Sequence, residues 1–188
     1  IKDNQLVSRQ FDRVINKRDR LRLVGPNGIG KSSLLESLTK TTDDKVNQHT
    51  IDPKVVVGYY RQDFANLDFE ATPYEVLQNA MSKYDEHTLR STAAGFLVTA
   101  DIIYKKIGHL SEGQKGLVAF ARLVLLQPGL LILDEPTNHI NFRHLPVIAK
   151  AIDSYEGALI IVSHVDEFMS QINIDEVIDL GELAAKKR

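Results

Sequence analysis

The chain contains no cysteine, which excludes disulfides and thiolate metal sites and permits a reducing compartment. A surplus of either charge is also missing. Against 25 Asp and Glu stand 23 Lys and Arg, a formal net charge of −2, so nothing global demands nucleic acid or an acidic membrane. No apolar run is long enough to span a bilayer: the greasiest stretch, "LVLLQPGLLIL", is broken by Gln127, Pro128 and Gly129. The opening "IKDNQLVSRQ" lacks the apolar core of a signal peptide. There is no internal repeat and no low-complexity tract, and the final "KKR" reads as a solvated tail. Initiating Met is absent as well, and the chain is expected to be a piece of a longer protein.

What is present is ordinary for a globular protein: 188 residues, 43% hydrophobic and 26% charged, enough for one domain over 1–188 with a sizeable core. Strand-like and helix-like segments alternate. "RLRLV" (20–24) reads as a strand, followed by the turn "GPNGIG" and the helical "KSSLLESL". "VVVGYY" is a β-branched and aromatic strand. "TPYEVLQNAM" opens a helix with Thr72 as N-cap, Pro73 at the first helical position and Glu75 closing a capping box. A further helical stretch covers about 86–98. "SEGQKGLVAFARLVLL" starts on a second capping box, Ser111 with Gln114, and places Leu117, Phe120, Ala121, Val124 and Leu125 at helical spacing. Then follow the strand "LLILD", a helix near 143–154, the strand "ALIIV" (158–162), a short helix after His164 and the strand "EVIDL". This order predicts an α/β fold with a largely parallel sheet.

In such sheets ligands bind beyond the carboxyl ends of the strands. The turn after the first strand, Gly25-Pro26-Asn27-Gly28-Ile29-Gly30-Lys31-Ser32, fits G-x-x-x-x-G-K-[ST]. Its glycines let successive N–H groups face a polyphosphate, and the following helix, through Ser33 and beyond, adds its positive end. Lys31 reaches the outer phosphates and the Ser32 hydroxyl suits Mg2+. An accidental Gly-rich turn is the bland alternative; a strand before and a helix after argue against it. The apolar strand 130–134 ends on Asp134 followed by Glu135, and carboxylates are costly to bury unless something positive or protic meets them. Asp134 sits where P-loop proteins keep the carboxylate that holds Mg2+, leaving Glu135 to polarise an attacking water. Taken alone, the pair reads equally well as the cap of the turn "EPTN".

"GPNGIGKSS", "LSEGQKG", "LLILDEPTNHIN" and "IIVSH", in this order and spacing, resemble the nucleotide-binding domain of the ATP-binding cassette (ABC) family. The resemblance covers about residues 11–180. "EPTNH" is similar to the ABC-F branch, whose members are cytosolic, whereas transporter cassettes usually carry Ser-Ala-Leu-Asp where this chain has Asn138-His139-Ile140-Asn141. The resemblance implies a P-loop NTPase with a helical subdomain, about 65–125, that carries the signature motif. It implies ATP and Mg2+ as ligands and an ATPase reaction in which Glu135, His164, Gln62 and Lys31 act on the γ-phosphate and water. Gln62 in "YYRQD" matches the Q-loop glutamine, which also touches Mg2+ beside Ser32 and Asp134; by itself it reads as a polar residue beyond a strand end. His164 matches the switch histidine, although a lone His after a strand is more often structural. Ser111, Gly113 and Gln114 match the signature motif, which meets ATP held by another cassette. One copy of each motif therefore implies a second cassette as partner, in a head-to-tail pair.

Departures from the family pattern are visible. Glu112 replaces the usual signature glycine, Asn141 replaces the usual D-loop aspartate, and residues 1–10 hold no aromatic residue to stack on adenine. Phe11 lies too near the first strand to serve. The interval from Lys31 to Gln62 has no room for the helical arm of many ABC-F first cassettes, so an armless cassette, as the second of a pair would be, is expected. Two functions follow from the resemblance: an ATPase or ATP-gated switch on the ribosome, or the motor of a membrane transporter. An ATP-gated interaction module with little hydrolysis is a third. The basic cluster Arg9, Arg13, Lys17, Arg18, Arg20 and Arg22, interrupted by Asp12 and Asp19, reads as a solvated strand pair rather than an RNA surface.

Overall fold

The computed structural model describes residues 14–39, 51–61, 63–138 and 140–185. Five strands, β1 (Arg20–Val24), β2 (Val57–Tyr60), β3 (Leu130–Asp134), β4 (Ala158–Val162) and β5 (Glu176–Asp179), form one sheet in the order β2-β3-β4-β1-β5. Every pairing is parallel. All five residues of β3 and of β4 are buried, as expected of strands covered on both faces.

Side chains alternate across the sheet and build two cores. Leu21, Leu23, Leu130, Ile132, Ile160 and Val162 face Leu35 of α1 (Lys31–Thr39). Leu131, Leu133, Leu159 and Ile161 face the opposite layer. That layer includes α2 (Pro73–Ala80), α3 (Glu86–Gly95), α4 (Glu112–Leu126), α5 (Leu145–Asp153) and the short α6 (Asp166–Met169). Helices α2 and α3 pack on α4. Tyr60 of β2 stacks on Phe120 of α4 at 4.5 Å between ring centroids, joining these helices to the sheet.

Both capping boxes form. Thr72 accepts from the Glu75 N–H at the start of α2, and Ser111 accepts from the Gln114 N–H at the start of α4. Several sequence expectations are corrected. Strand β2 begins only at Val57, and Val56 is exposed. Helix α3 stops at Gly95, and Leu97 takes a left-handed conformation. The helix expected near 143–154 begins as a 3-10 turn, Phe142–His144. Val124 is 41% exposed, on the solvent side of α4 rather than in its core. A helix α7 (Leu180–Ala185) follows β5, with Asp179 Oδ1 accepting from the Gly181 N–H at 2.7 Å.

The strand arginines are not a solvated pair either. Arg20 donates to the carbonyls of Ile152, Asp153 and Tyr155 at the end of α5, a favourable place for a cation on a helix. Arg22 donates to the Ser163 carbonyl and to Asp166. Their side chains are only 11% and 21% exposed. Arg9 and Arg13 lie outside the described residues.

Candidate nucleotide and metal site

The turn from β1 into α1 carries Gly25, Gly28 and Gly30 at φ values of 143°, 78° and 102°. At Gly30 a Cβ would meet nothing within 4 Å, so the backbone angle, not crowding, calls for glycine there. Pro26, Asn27 and Gly28 are exposed at the tip, and the Ile29 N–H donates to the Pro26 carbonyl. Lys31 folds back under the loop, its Nζ 2.8 Å from the Gly25 carbonyl and 3.2 Å from that of Pro26, with the residue only 9% exposed. The first turn of α1 has no acidic residue, so its positive end is uncompensated from within. Ser32 and Ser33 stand exposed on that turn.

Strand β4 lies between β1 and β3, so the P-loop and the acidic pair follow strands that are not neighbours. The strand ends are separated by two sheet spacings, roughly 10 Å. Helix α1 closes the gap by packing over β3. Ser32 and Asp134 consequently line one cavity of about 90 Å³, together with Glu36, Tyr59, Arg61 and Asp63.

Asp134 is 8% exposed, and its carboxylate meets the Tyr59 hydroxyl at 3.5 Å, the outer limit of a hydrogen bond. A buried carboxylate beside a hydroxyl in a small open cavity fits a divalent cation. Mg2+ suits this small donor set because it keeps several waters and takes few protein ligands.

Glu135 leaves the strand abruptly. Its φ is 47°, a left-handed value for a residue with a side chain, and its N–H donates to the Val162 carbonyl at 2.9 Å. Strain of this kind concentrates at functional sites. The turn aims the Glu135 carboxylate at His164, 3.2 Å from Nε2. Burial pushes the Glu135 carboxyl above the usual carboxylate range, opposed by His164 and, more weakly, by Lys31; the Asp134 charge adds to the rise. Lys31, Asp134, Glu135 and His164 thus share one electrostatic neighbourhood. Gln62 lies outside the described residues, although Arg61 and Asp63 on either side of it line the cavity.

Ser111, Gly113 and Gln114 do not line this cavity. They open α4 at the surface, with Ser111 and Glu112 exposed. The Glu112 carboxylate curls back onto Lys115 at 2.8 Å, and the Lys115 ammonium sits 4.9 Å from the centre of the Phe69 ring. Its charge is therefore answered within its own helix. Asn141 accepts the Arg143 N–H at 3.0 Å as cap of the 3-10 turn, a task its neutral side chain performs as aspartate does.

The family model described as "ABC transporter" matches residues 9–138. This chain belongs to the ATP-binding cassette family. Cassette domains of this family are ATPases. The cassette is 40% identical over 152 residues to YdiF of Bacillus subtilis, covering 80% of this chain and 23% of that protein. It is 33% identical to ATP-binding cassette sub-family F member 2 of Bos taurus, covering 91% of this chain and 28% of that protein. ABC-F proteins recur among its relatives, in Dictyostelium discoideum and Arabidopsis thaliana among others. The cassette spans about a quarter to a third of the length of these curated relatives.

Solved structures share its fold. The dimeric cassette MJ0796, in a post-hydrolysis state bound to ADP and Pi, matches with a TM-score of 0.70 at 20% identity over 93% of this chain and 87% of that one. A ribosome-bound archaeal Pelota and ABCE1 assembly matches with a TM-score of 0.70 at 25% identity, covering 88% of this chain and 28% of that one. Among the described residues no helix is long and apolar enough to cross a membrane.

No motif marks Tyr59, Arg61, Asp63 or Glu36 as a site residue, although all four line the cavity. A signal existed for Glu36, which lies one helical turn after Ser32 in α1. Tyr59 and Arg61 are lining residues only through the pairing of β2 with β3.

Proposed function

We propose that the cassette binds Mg2+-ATP with the phosphates on the P-loop and the cation in the cavity between α1 and Asp134, and hydrolyses it as one half of a head-to-tail pair. The observation that carries this reading is the convergence of Ser32 and Asp134 on one cavity, with Glu135, the residue after Asp134, in contact with His164. Residues 1–188 form a single cassette domain in this reading, with 65–125 as its helical subdomain.

The loop N–H groups from Gly25 to Ser33, with Lys31, bind the phosphates. Lys31 exchanges its carbonyl partners for phosphate oxygens. Ser32 and Asp134 hold Mg2+, with Gln62 as a further contact, and the metal when bound offsets the charge developing on the phosphates. Glu135 orients the attacking water and accepts its proton, while His164 steers the Glu135 carboxylate and senses the γ-phosphate. Ser111, Gly113 and Gln114, at the start of α4 and outside the cavity, meet the ATP of the second cassette. The likeness to a dimeric cassette supports this pairing.

The ABC-F relatives and the ribosome-bound neighbour support a cytoplasmic role on the ribosome. Sequence identity at the level of 33% to an ABC-F protein favours that role over a transporter motor.

Glu135→Gln tests the assignment. The variant is expected to bind ATP as wild type does, to lose at least about 100-fold in hydrolysis, and to accumulate ATP-bound pairs in analytical ultracentrifugation. In the intact protein it is expected to co-sediment with ribosomes only when ATP is present. Wild-type turnover in the variant would remove Glu135 from the mechanism.

A further inference from the structure

The cavity has a wall that the proposed ATPase chemistry leaves unused: Tyr59, Arg61, Asp63 and Glu36. Strand register explains how Tyr59 enters it. Tyr59 pairs with Ile132 in the parallel β2–β3 ladder, and Asp134 is two residues further on, on the same face of β3. Such a diagonal neighbour is within reach of an aromatic side chain. The Tyr59 hydroxyl accordingly approaches Asp134 Oδ2, at 3.5 Å.

Arg61 braces the ring. Its guanidinium carbon is 5.8 Å from the Tyr59 ring centre. Two of its N–H groups, on Nε and Nη2, grip the two Asp63 carboxylate oxygens at 2.9 Å each. Its third nitrogen, Nη1, lies 3.5 Å from Glu36 on α1. A planar guanidinium held bidentately is a rigid support. With two carboxylates around it, Arg61 does not need Asp134 as a partner, and that carboxylate stays available to a metal.

We propose that Tyr59 is a positioning residue for Asp134, holding one carboxylate oxygen so that the other faces the cation, and that Arg61, clamped by Asp63 and Glu36, holds Tyr59 in place. This inference rests on the nucleotide site proposed above. Partners of this kind fix the orientation of a metal-binding carboxylate, and their loss typically weakens metal affinity about 10- to 100-fold. A role confined to packing would not single out the metal.

The test is binding of a fluorescent methylanthraniloyl derivative of a non-hydrolysable ATP analogue to the full chain, titrated with Mg2+ and repeated in EDTA. In Tyr59→Phe the half-saturating Mg2+ concentration is expected to rise about 10-fold, while affinity for the probe in EDTA stays at the wild-type value. Arg61→Gln is expected to shift the Mg2+ requirement in the same direction by a smaller factor. An unchanged Mg2+ requirement in Tyr59→Phe, or an equal loss of probe affinity with and without metal, overturns the proposal. If wild type itself takes up no probe at any Mg2+ concentration, the nucleotide site fails, a result distinguishable from the failure of Tyr59 alone.

Discussion

Glu135 is where local geometry and chemistry meet most closely. Its left-handed φ of 47° and its 3.2 Å contact with His164 set its carboxylate apart from that of Asp134, which stays in line with the strand. Two adjacent acids thereby acquire different surroundings, and the proposed division of labour between metal and water follows from that difference. Gly30 carries a comparable demand. With φ at 102° and open space where a Cβ would stand, Gly30→Ala meets no clash but does meet backbone strain. Its unfolding free energy in urea is expected to fall by about 1–3 kcal/mol. Stability equal to wild type would mean that the loop does not hold this angle in solution. Neither detail of Glu135 was legible in the sequence. The doublet was conspicuous, whereas its turn depends on the N–H donated to Val162 of another strand.

Among the helices and strands, those with chemical punctuation were the most legible. Ser111 and Gln114 marked the start of α4, Thr72 and Glu75 that of α2, and both boxes form as expected. Ser111→Ala is expected to cost about 1 kcal/mol through loss of the cap, read as a lower midpoint in thermal unfolding; an unchanged midpoint would deny the cap any share in holding α4. Elements lacking such marks were misjudged. The run of valines before Tyr59 suggested a longer strand than the ladder with β3 accommodates, and Val124 matched the helical period yet lies on the exposed side. The end of α5 offers a pH test. Hydrogen bonds from the Asn173 backbone N–H and side chain, with Arg20 nearby, hold the Asp153 carboxyl below its usual range. A depressed carboxyl stabilises the fold above its unfolded-state pKa and loses that contribution as pH falls through the folded-state value. Asp153→Asn should therefore lower the unfolding temperature at neutral pH, with the gap to wild type closing on the acid limb. A gap that stays constant down that limb would contradict the linkage.

For the assembled domain, fold class was readable because strands and helices alternate, but strand order was not. Pairing between segments a hundred residues apart is decided by packing, and it inserts β4 between the P-loop strand and the acidic strand. The site survives that insertion only because α1 crosses the sheet and carries Ser32 to Asp134. The same topology leaves the signature residues on another surface, so that a complete site requires two cassettes in the proposed function. Isothermal calorimetry of Mg2+-ATP uptake is the most direct measurement of whether the loop, α1 and Asp134 form one nucleotide site. Wild type is expected to bind with micromolar or tighter affinity and Lys31→Ala to show no measurable uptake. Absence of uptake by wild type, or micromolar binding retained in Lys31→Ala, would contradict it.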